Sequence, residues 1–251
     1  MINWADTTDD PLNFSVRRDI EQFVRSISSV DNDSLAGYFC RECQGHEVLH
    51  IGCYEHADKY MHASGWKHRD MTAIAQRMVG LDINEAGVQS MRSQGFEAVC
   101  VDATSEIYID DRFDRVIVGD VIEHVGYAQG LLSFAARHLK PGGKIIVSTP
   151  NPFFVGHVAK AWLIRPMVAN FEHVSWISES NMLELARRAN LELKAILYPV
   201  GHASRRALLS LTKRFSYRVV GTALFTSIIY VLIAPEPRKM AEVVPDISTG
   251  C

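Results

Sequence analysis

The chain has 251 residues, 47% of them hydrophobic and 22% charged, with a formal net charge of −3. That is enough apolar material for one well-filled core, and it excludes a disordered chain or a polytopic membrane protein. The charge is unevenly spread: residues 1–152 hold 22 acidic and 14 basic side chains, residues 153–251 hold 7 and 12. The basic part suits an anionic acceptor or surface, or a solvated helix face.

The acidic residues 1–10 contain no apolar run, so no secretory leader is expected. Five cysteines (Cys40, Cys43, Cys53, Cys100 and Cys251) are too few and too scattered for a disulfide framework. Cys40 and Cys43 form a lone CxxC with no second pair at zinc spacing. The longest apolar stretch, 219–234, is broken by Gly221, Thr222 and Thr226 and falls short of the roughly 20 residues a spanning helix needs. These features predict a cytoplasmic protein.

In chain order, residues 16–28 show helical spacing of apolar residues and predict an N-terminal helix. From residue 47 onward, apolar runs at 47–53, 77–83, 97–103, 114–120 and 144–150 alternate with helical patterns. Runs separated by helices imply βαβ units, and so a parallel sheet covered on both faces. The motif Lys140-Pro141-Gly142-Gly143 reads as a helix stop. A helix over 178–190, a strand over 191–199, a basic amphipathic helix over 203–218 and a last strand over 227–235 follow.

In an open α/β sheet, ligands bind beyond the carboxyl ends of the strands, so the residues just after each run are informative. Gly52 follows the first run and permits a tight turn close to a ligand. Asp82 ends the second and suits a ribose diol; Asp102-Ala103 ends the third and suits an adenine amino group and ring. A single Asp after a strand is commonly a helix cap. Three such residues after three successive strands suggest a site.

The order of elements resembles the class I S-adenosylmethionine-dependent methyltransferases. Residues 113–125, with Asp114, Gly119, Asp120, Glu123 and His124, and residues 139–151, with Lys140-Pro141-Gly142-Gly143, are similar to a branch of that family. The branch includes ubiquinone-biosynthesis O-methyltransferases and bacterial glycan-cluster methyltransferases. The resemblance covers about residues 45–195. It implies an α/β, Rossmann-like fold with a mostly parallel seven-stranded sheet flanked by helices and an antiparallel last strand. It places a helical extension over residues 1–45, a methyltransferase domain over 46–251 and an acceptor-covering segment over about 153–176.

The resemblance also implies S-adenosylmethionine as cofactor. Gly52, Cys53, Gly119 and Asp120 would surround its methionine part, Asp82 its ribose, and Ile83, Asp102 and Ala103 its adenine. The sequence departs from the family at His50, where an acidic residue is usual, and at Tyr54 and His56, where glycines are usual. These departures keep open an inactive, cofactor-binding partner subunit.

Methyl transfer to an alcohol needs the hydroxyl proton removed or its oxygen polarised. His124 is the candidate base, with Glu123 beside it. If the turn is helical, Asp120, Glu123 and His124 at i, i+3, i+4 share one face. With His173 they resemble the carboxylate–histidine set with which small-RNA 2′-O-methyltransferases bind a divalent cation. Mg²⁺ or Mn²⁺ is therefore a candidate Lewis acid. His46, His50, His56, His62 and His68 are expected to be structural. Residues 153–176 mix Trp162, Phe171 and Trp176 with Lys160 and Arg165 and are expected to cover the acceptor.

The expected acceptor is a hydroxyl on a sugar, a glycolipid or another small metabolite, with a quinone or phenol as the alternative. A nucleic-acid acceptor is disfavoured by the acidic net charge and the lack of a visible RNA module. Arg205, Arg206, Lys213, Arg214 and Arg218 alternate with leucines, which allows peripheral contact with the inner membrane surface. Packing of those leucines on the sheet is the favoured alternative.

Overall fold

The computed structural model describes residues 4–55, 58–62, 65–163, 166, 170–200, 217 and 221–235. Helix α1 (Phe14–Ser26) begins where the Asn13 side chain accepts from the amides of Ser15 and Val16. Strand β1 (Ser28–Asp31) and helix α2 (Leu35–Cys43) follow, the latter capped by Ser34. Then come β2 (Glu47–Ile51), the short helices α3 (Asp58–Met61) and α4 (Lys67–Thr72), β3 (Arg77–Asp82), α5 (Glu85–Ser93) and β4 (Ala98–Cys100). The second half holds β5 (Phe113–Gly119), α6 (Ala128–Arg137), β6 (Leu139–Pro150), α7 (Val155–Trp162), α8 (Glu179–Arg188), β7 (Glu192–Pro199) and β8 (Ser227–Ile233).

The eight strands among the described residues form one sheet in the order β1-β7-β8-β6-β5-β2-β3-β4. Every pairing is parallel except those of β8, which runs antiparallel to β6 and β7. The expected antiparallel last strand is therefore present. The expected count of seven is corrected to eight, because Ser28–Asp31 adds an edge strand beside β7.

Side chains alternate across the sheet, as the period-two geometry of strands requires. On β5, Val116 and Val118 join the larger core while Ile117 joins the opposite one; on β6, Ile145 and Val147 oppose Ile146 in the same way. The larger core holds Leu131, Leu132 and Phe134 of α6 and Met182, Leu183 and Ala186 of α8. The other holds Tyr38 and Phe39 of α2 and Met71 of α4. Burial on both faces is why the central runs read as nearly continuous apolar stretches.

The Lys140-Pro141-Gly142-Gly143 motif does not stop a helix: α6 ends at Arg137 and the motif lies inside β6. Gly142 has φ +76°, and the β5–β6 register shifts between Phe113 and Arg115. The glycine thus serves an irregularity at the start of a strand. The basic helix expected over 203–218 lies outside the described residues except for Tyr217. Among the described residues no helix is long and apolar enough to cross a membrane.

Candidate active site

The chain runs from β2 outward through β3 to β4, then returns to place β5 on the other side of β2. That reversal is the switch point where open α/β sheets bind ligands. A cavity of about 610 Å³ opens there, within the usual range for small-molecule sites. His50, Gly52, Lys67, Asp82, Ile83, Gly119, Asp120, His124 and Glu172 are among its lining residues.

Gly52 has φ +74°, and a Cβ added there would lie 2.2 Å from Val121 Cγ2. The turn after β2 therefore needs glycine twice over, for conformation and for space. Cys53 lines the cavity, but its side chain is buried against Gly80 and Met91, and burial raises its thiol pKa. Tyr54 occupies one of the positions where the resembled family has glycine. Its ring turns onto α5, where Cδ1 lies 2.5 Å from the place a Cβ on Gly87 would occupy. A glycine in the helix thus makes room for the tyrosine in the loop. His56 lies outside the described residues.

Asp82 closes the β3 side. Its Oδ2 accepts from Tyr54 N at 3.0 Å and its Oδ1 from Asn84 N at 3.0 Å. Each oxygen keeps a further lone pair for a ligand. Ile83 is exposed along the cavity wall. Asp102 and Ala103 are not among the cavity's described lining residues. Asp102 Oδ1 instead accepts from Thr104 N at 2.8 Å and Thr104 Oγ1 at 2.7 Å, closing a turn, and Ala103 is buried.

On the β5 side, Gly119 is followed by Asp120, a non-glycine residue at φ +56°. Asp120 Oδ1 accepts from Ser148 Oγ at 2.6 Å, and Oδ2 pairs with Lys67 Nζ at 2.9 Å. The positive φ breaks the helical phase that would have aligned Asp120 with Glu123 and His124. Those two residues meet His173 instead: ligand atoms of Glu123, His124 and His173 lie within 4.8 Å of one another. Asp120, expected to join them, is held by Lys67 and Ser148 instead, so the group that converges among the described residues is Glu123, His124 and His173.

Glu123 is 1% exposed. Its backbone carbonyl accepts from Val174 N at 2.9 Å and Ser175 N at 3.2 Å, which fastens the segment carrying His173. His173 Nε2 lies 4.0 Å from Glu123 Oε1, and the His124 and His173 rings meet edge to face at 4.7 Å. His124 Nδ1 lies 3.8 Å from Glu172 Oε2. Burial, with the nearby Asp120 charge adding to it, pushes the Glu123 carboxyl up to about 7. Both Glu123 oxygens, Thr149 Oγ1, His173 Nδ1 and Ser175 Oγ are buried without a hydrogen-bond partner among the described residues. So many unsatisfied polar atoms in one place mark a site built for something further.

Glu123, His124 and His173 are marked in the sequence by residue type and position, whereas Lys67, Ser148, Thr149, Glu172 and Ser175 carry no such mark. Lys67 and Ser148 reach the site through the packing of α4 and β6, and no spacing in the sequence signals that.

A mostly parallel sheet with an antiparallel β8 and a cavity at the β2–β5 switch point defines a Rossmann-like fold of the class I methyltransferase type. The family described as "Methyltransferase domain" matches residues 26–196. The chain belongs to that family. It is 29% identical over 160 residues to a "Probable S-adenosylmethionine-dependent methyltransferase" of Mycolicibacterium smegmatis, covering 62% of this chain and 55% of the relative. It is 24% identical over 165 residues to a ubiquinone biosynthesis O-methyltransferase of Alkalilimnicola ehrlichii, covering 61% and 63%. The chain thus spans somewhat more than half the length of these relatives.

Among solved structures, the glycopeptide N-methyltransferase MtfA with S-adenosyl-L-methionine matches with a TM-score of 0.54 at 12% identity, covering 86% of this chain and 96% of that one. A SAM-dependent methyltransferase from Archaeoglobus fulgidus matches at 0.52 and 15% identity, covering 79% and 90%. These likenesses show the fold alone. The [4+2]-cyclase SpnF shares it too, at 0.53 and 16% identity over 80% of each chain, so the reaction has to be argued from the site.

Proposed function

We propose that the protein transfers the methyl group of S-adenosylmethionine to a hydroxyl of a sugar, a glycolipid or another small metabolite. The observation that carries this reading is the buried Glu123 carboxylate meeting His124 and His173 beside a cavity whose walls suit the cofactor. The fit to the cofactor rests on the Gly52 turn, which a Cβ would fill, and on the spare lone pairs of Asp82.

When bound, S-adenosylmethionine supplies an activated methyl carbon. The turn at Gly52 and Cys53 and the ends of β5 at Gly119 and Asp120 hold its methionine part. Asp82 accepts from the ribose hydroxyls, and Ile83 lies along the adenine. Asp102 and Ala103 contribute to the adenine end only if their turn opens, because Asp102 is occupied by Thr104. His124 takes the proton of the acceptor hydroxyl. Glu123, poised near neutrality, orients the imidazoles and balances the positive charge that forms. Residues 153–176 cover the acceptor: Glu172 lines the cavity, and Trp162 and Phe171 stand exposed for stacking on a sugar or a lipid-linked group.

A second reading adds a divalent cation. It is favoured by the convergence of the Glu123 carboxylate with the imidazoles of His124 and His173, and by the buried Glu123 oxygens and His173 Nδ1 that have no hydrogen-bond partner among the described residues. Mg²⁺ or Mn²⁺ held by Glu123, His124 and His173 would polarise the acceptor oxygen. The test is transfer of labelled methyl to panels of sugar, glycolipid and quinol hydroxyls, with and without chelator. Transfer to a sugar or glycolipid supports the acceptor class, and preference for quinols or phenols favours the alternative. Loss of activity in chelator, restored by Mg²⁺ or Mn²⁺, supports the cation. Full activity in chelator leaves His124 as a metal-free base. Cofactor binding with no transfer to any acceptor would favour an inactive partner subunit.

A further inference from the structure

A second pair of imidazoles, which the chemistry above does not use, joins a lining residue of the cavity, His50, to the buried His68 behind it. His50 lies on β2 and His68 on α4. Both are buried, with rings stacked 5.3 Å apart at 14° and Nδ1 facing Nδ1 at 3.1 Å. Burial keeps both neutral: it lowers His68 to about 4, and burial with the neighbouring His68 and Lys67 lowers His50 well below its ordinary value. A neutral imidazole carries one proton. One ring therefore donates from Nδ1 and leaves its Nε2 bare, while the other accepts at Nδ1 and keeps its proton on Nε2.

The surroundings decide which ring does which. His68 Nε2 is buried with no partner among the described residues, and the ring lies against Trp66 and Phe96. A proton there would be an orphaned buried donor, which folded proteins avoid more strictly than a bare acceptor. An aromatic face is too weak an acceptor to reverse that preference. His68 therefore keeps its proton on Nδ1 and donates it to His50, and His50 carries its own on Nε2. That nitrogen lies 3.6 Å from where a Cβ on Gly119 would sit, and both residues line the cavity.

We propose that His50, held in one tautomer by His68, donates Nε2–H to the α-carboxylate at the amino-acid end of the cofactor. The inference rests on the cofactor reading above. An acidic side chain at this place would accept from the cofactor's ammonium group; a neutral donor reverses the polarity and suits the carboxylate. Lys67 lines the same cavity but is paired with Asp120 at 2.9 Å, so the carboxylate is left to the neutral donor of His50. His50 is a binding residue and His68 a positioning residue.

The test compares S-adenosylhomocysteine with its decarboxylated analogue, 5′-aminopropylthioadenosine, by calorimetric titration of the full chain. Glutamine places its amide near the position of Nε2, and asparagine near that of Nδ1. His50→Asn should lose about tenfold or more in affinity for S-adenosylhomocysteine, the scale of one hydrogen bond to a charged group, while affinity for the decarboxylated analogue stays within about twofold. His50→Gln should retain most of the affinity. His68→Phe, which keeps the ring shape, should weaken S-adenosylhomocysteine alone. Equal losses for both ligands, or no loss, would overturn the proposal.

Nitrogen-15 shifts of the wild-type rings give an answer that needs no variant to fold. His50 protonated on Nε2 supports the proposal, and His50 protonated on Nδ1 overturns it. Wild-type protein that binds neither ligand would overturn the cofactor reading and this inference with it.

Discussion

The Oε1 atom of Glu123 lies 4.0 Å from Nε2 of His173, with both side chains sheltered from solvent and neither Glu123 oxygen hydrogen-bonded among the described residues. A carboxylate in that position is costly when ionised and unpartnered. The cost makes Glu123 useful for catalysis and a liability for stability.

Replacing Glu123→Gln keeps the shape and removes the charge. Activity should fall by about 100-fold, the lower end of the acid–base contribution of His124, whose imidazole loses the carboxylate that orients it and balances its charge. The pH dependence of stability should move the other way. The folded carboxyl titrates near 7, above its unfolded value, so ionisation penalises the folded state as pH rises through that window. The variant should match the wild type at pH 5 and exceed it at pH 8 by about 1–3 kcal/mol. Thermal melts at the two values check this; a variant less stable at pH 8 would contradict it.

Acid should destabilise the wild-type protein through its buried histidines. His50, His68 and His138 all have folded pKa values lowered chiefly by burial, His68 to about 4. The unfolded chain binds these protons at about pH 6.5 and the folded chain only further down. Their stabilisation is complete above about 6.5 and lost as pH falls toward 4. In the Glu123→Gln background, which removes the opposing titration of that carboxyl, melting temperature should decline from pH 7.5 to 5, and adding His68→Phe should flatten part of the slope. A flat profile in that background would count against neutral burial of these rings.

Gly87 offers a test of the loop. An Ala in place of a helical Gly normally stabilises by about 1 kcal/mol. At position 87 the added methyl would meet the Tyr54 ring at 2.5 Å. Gly87→Ala should therefore lower the melting temperature and weaken cofactor binding. Adding Tyr54→Gly should restore stability. A stabilised single variant would show that Tyr54 does not depend on this space.

Asp82→Ala removes an acceptor for the ribose and frees the amides of Tyr54 and Asn84. Affinity for S-adenosylhomocysteine should fall by about 1.5–3 kcal/mol. Unchanged affinity in a folded variant would remove Asp82 from the site.

Much of the sheet was legible because β2, β3, β5, β6 and β8 are apolar runs buried on both faces. β1 was not, since Ser28–Asp31 offers one apolar residue and pairs on one side only. The Lys140-Pro141-Gly142-Gly143 motif misled because the same glycine chemistry ends helices and bends strands. At the site, Glu123 and His124 were readable from their place after β5. The reach of Asp120 was not, because its positive φ and its ties to Lys67 and Ser148 are set by tertiary packing. The pairing of His50 with His68 joins residues 18 apart through the docking of α4, and no periodicity encodes it.

Methyl transfer from S-adenosylmethionine to a hydroxyl is read directly with methyl-labelled cofactor. The full chain is incubated with labelled S-adenosylmethionine and sugar, glycolipid and quinol acceptors. Label is expected in an ether linkage on a sugar or glycolipid acceptor, with one S-adenosylhomocysteine released per methyl and the signal abolished by His124→Ala. Label appearing on nitrogen, or methyl transfer to oxygen that survives His124→Ala undiminished, would contradict this reading.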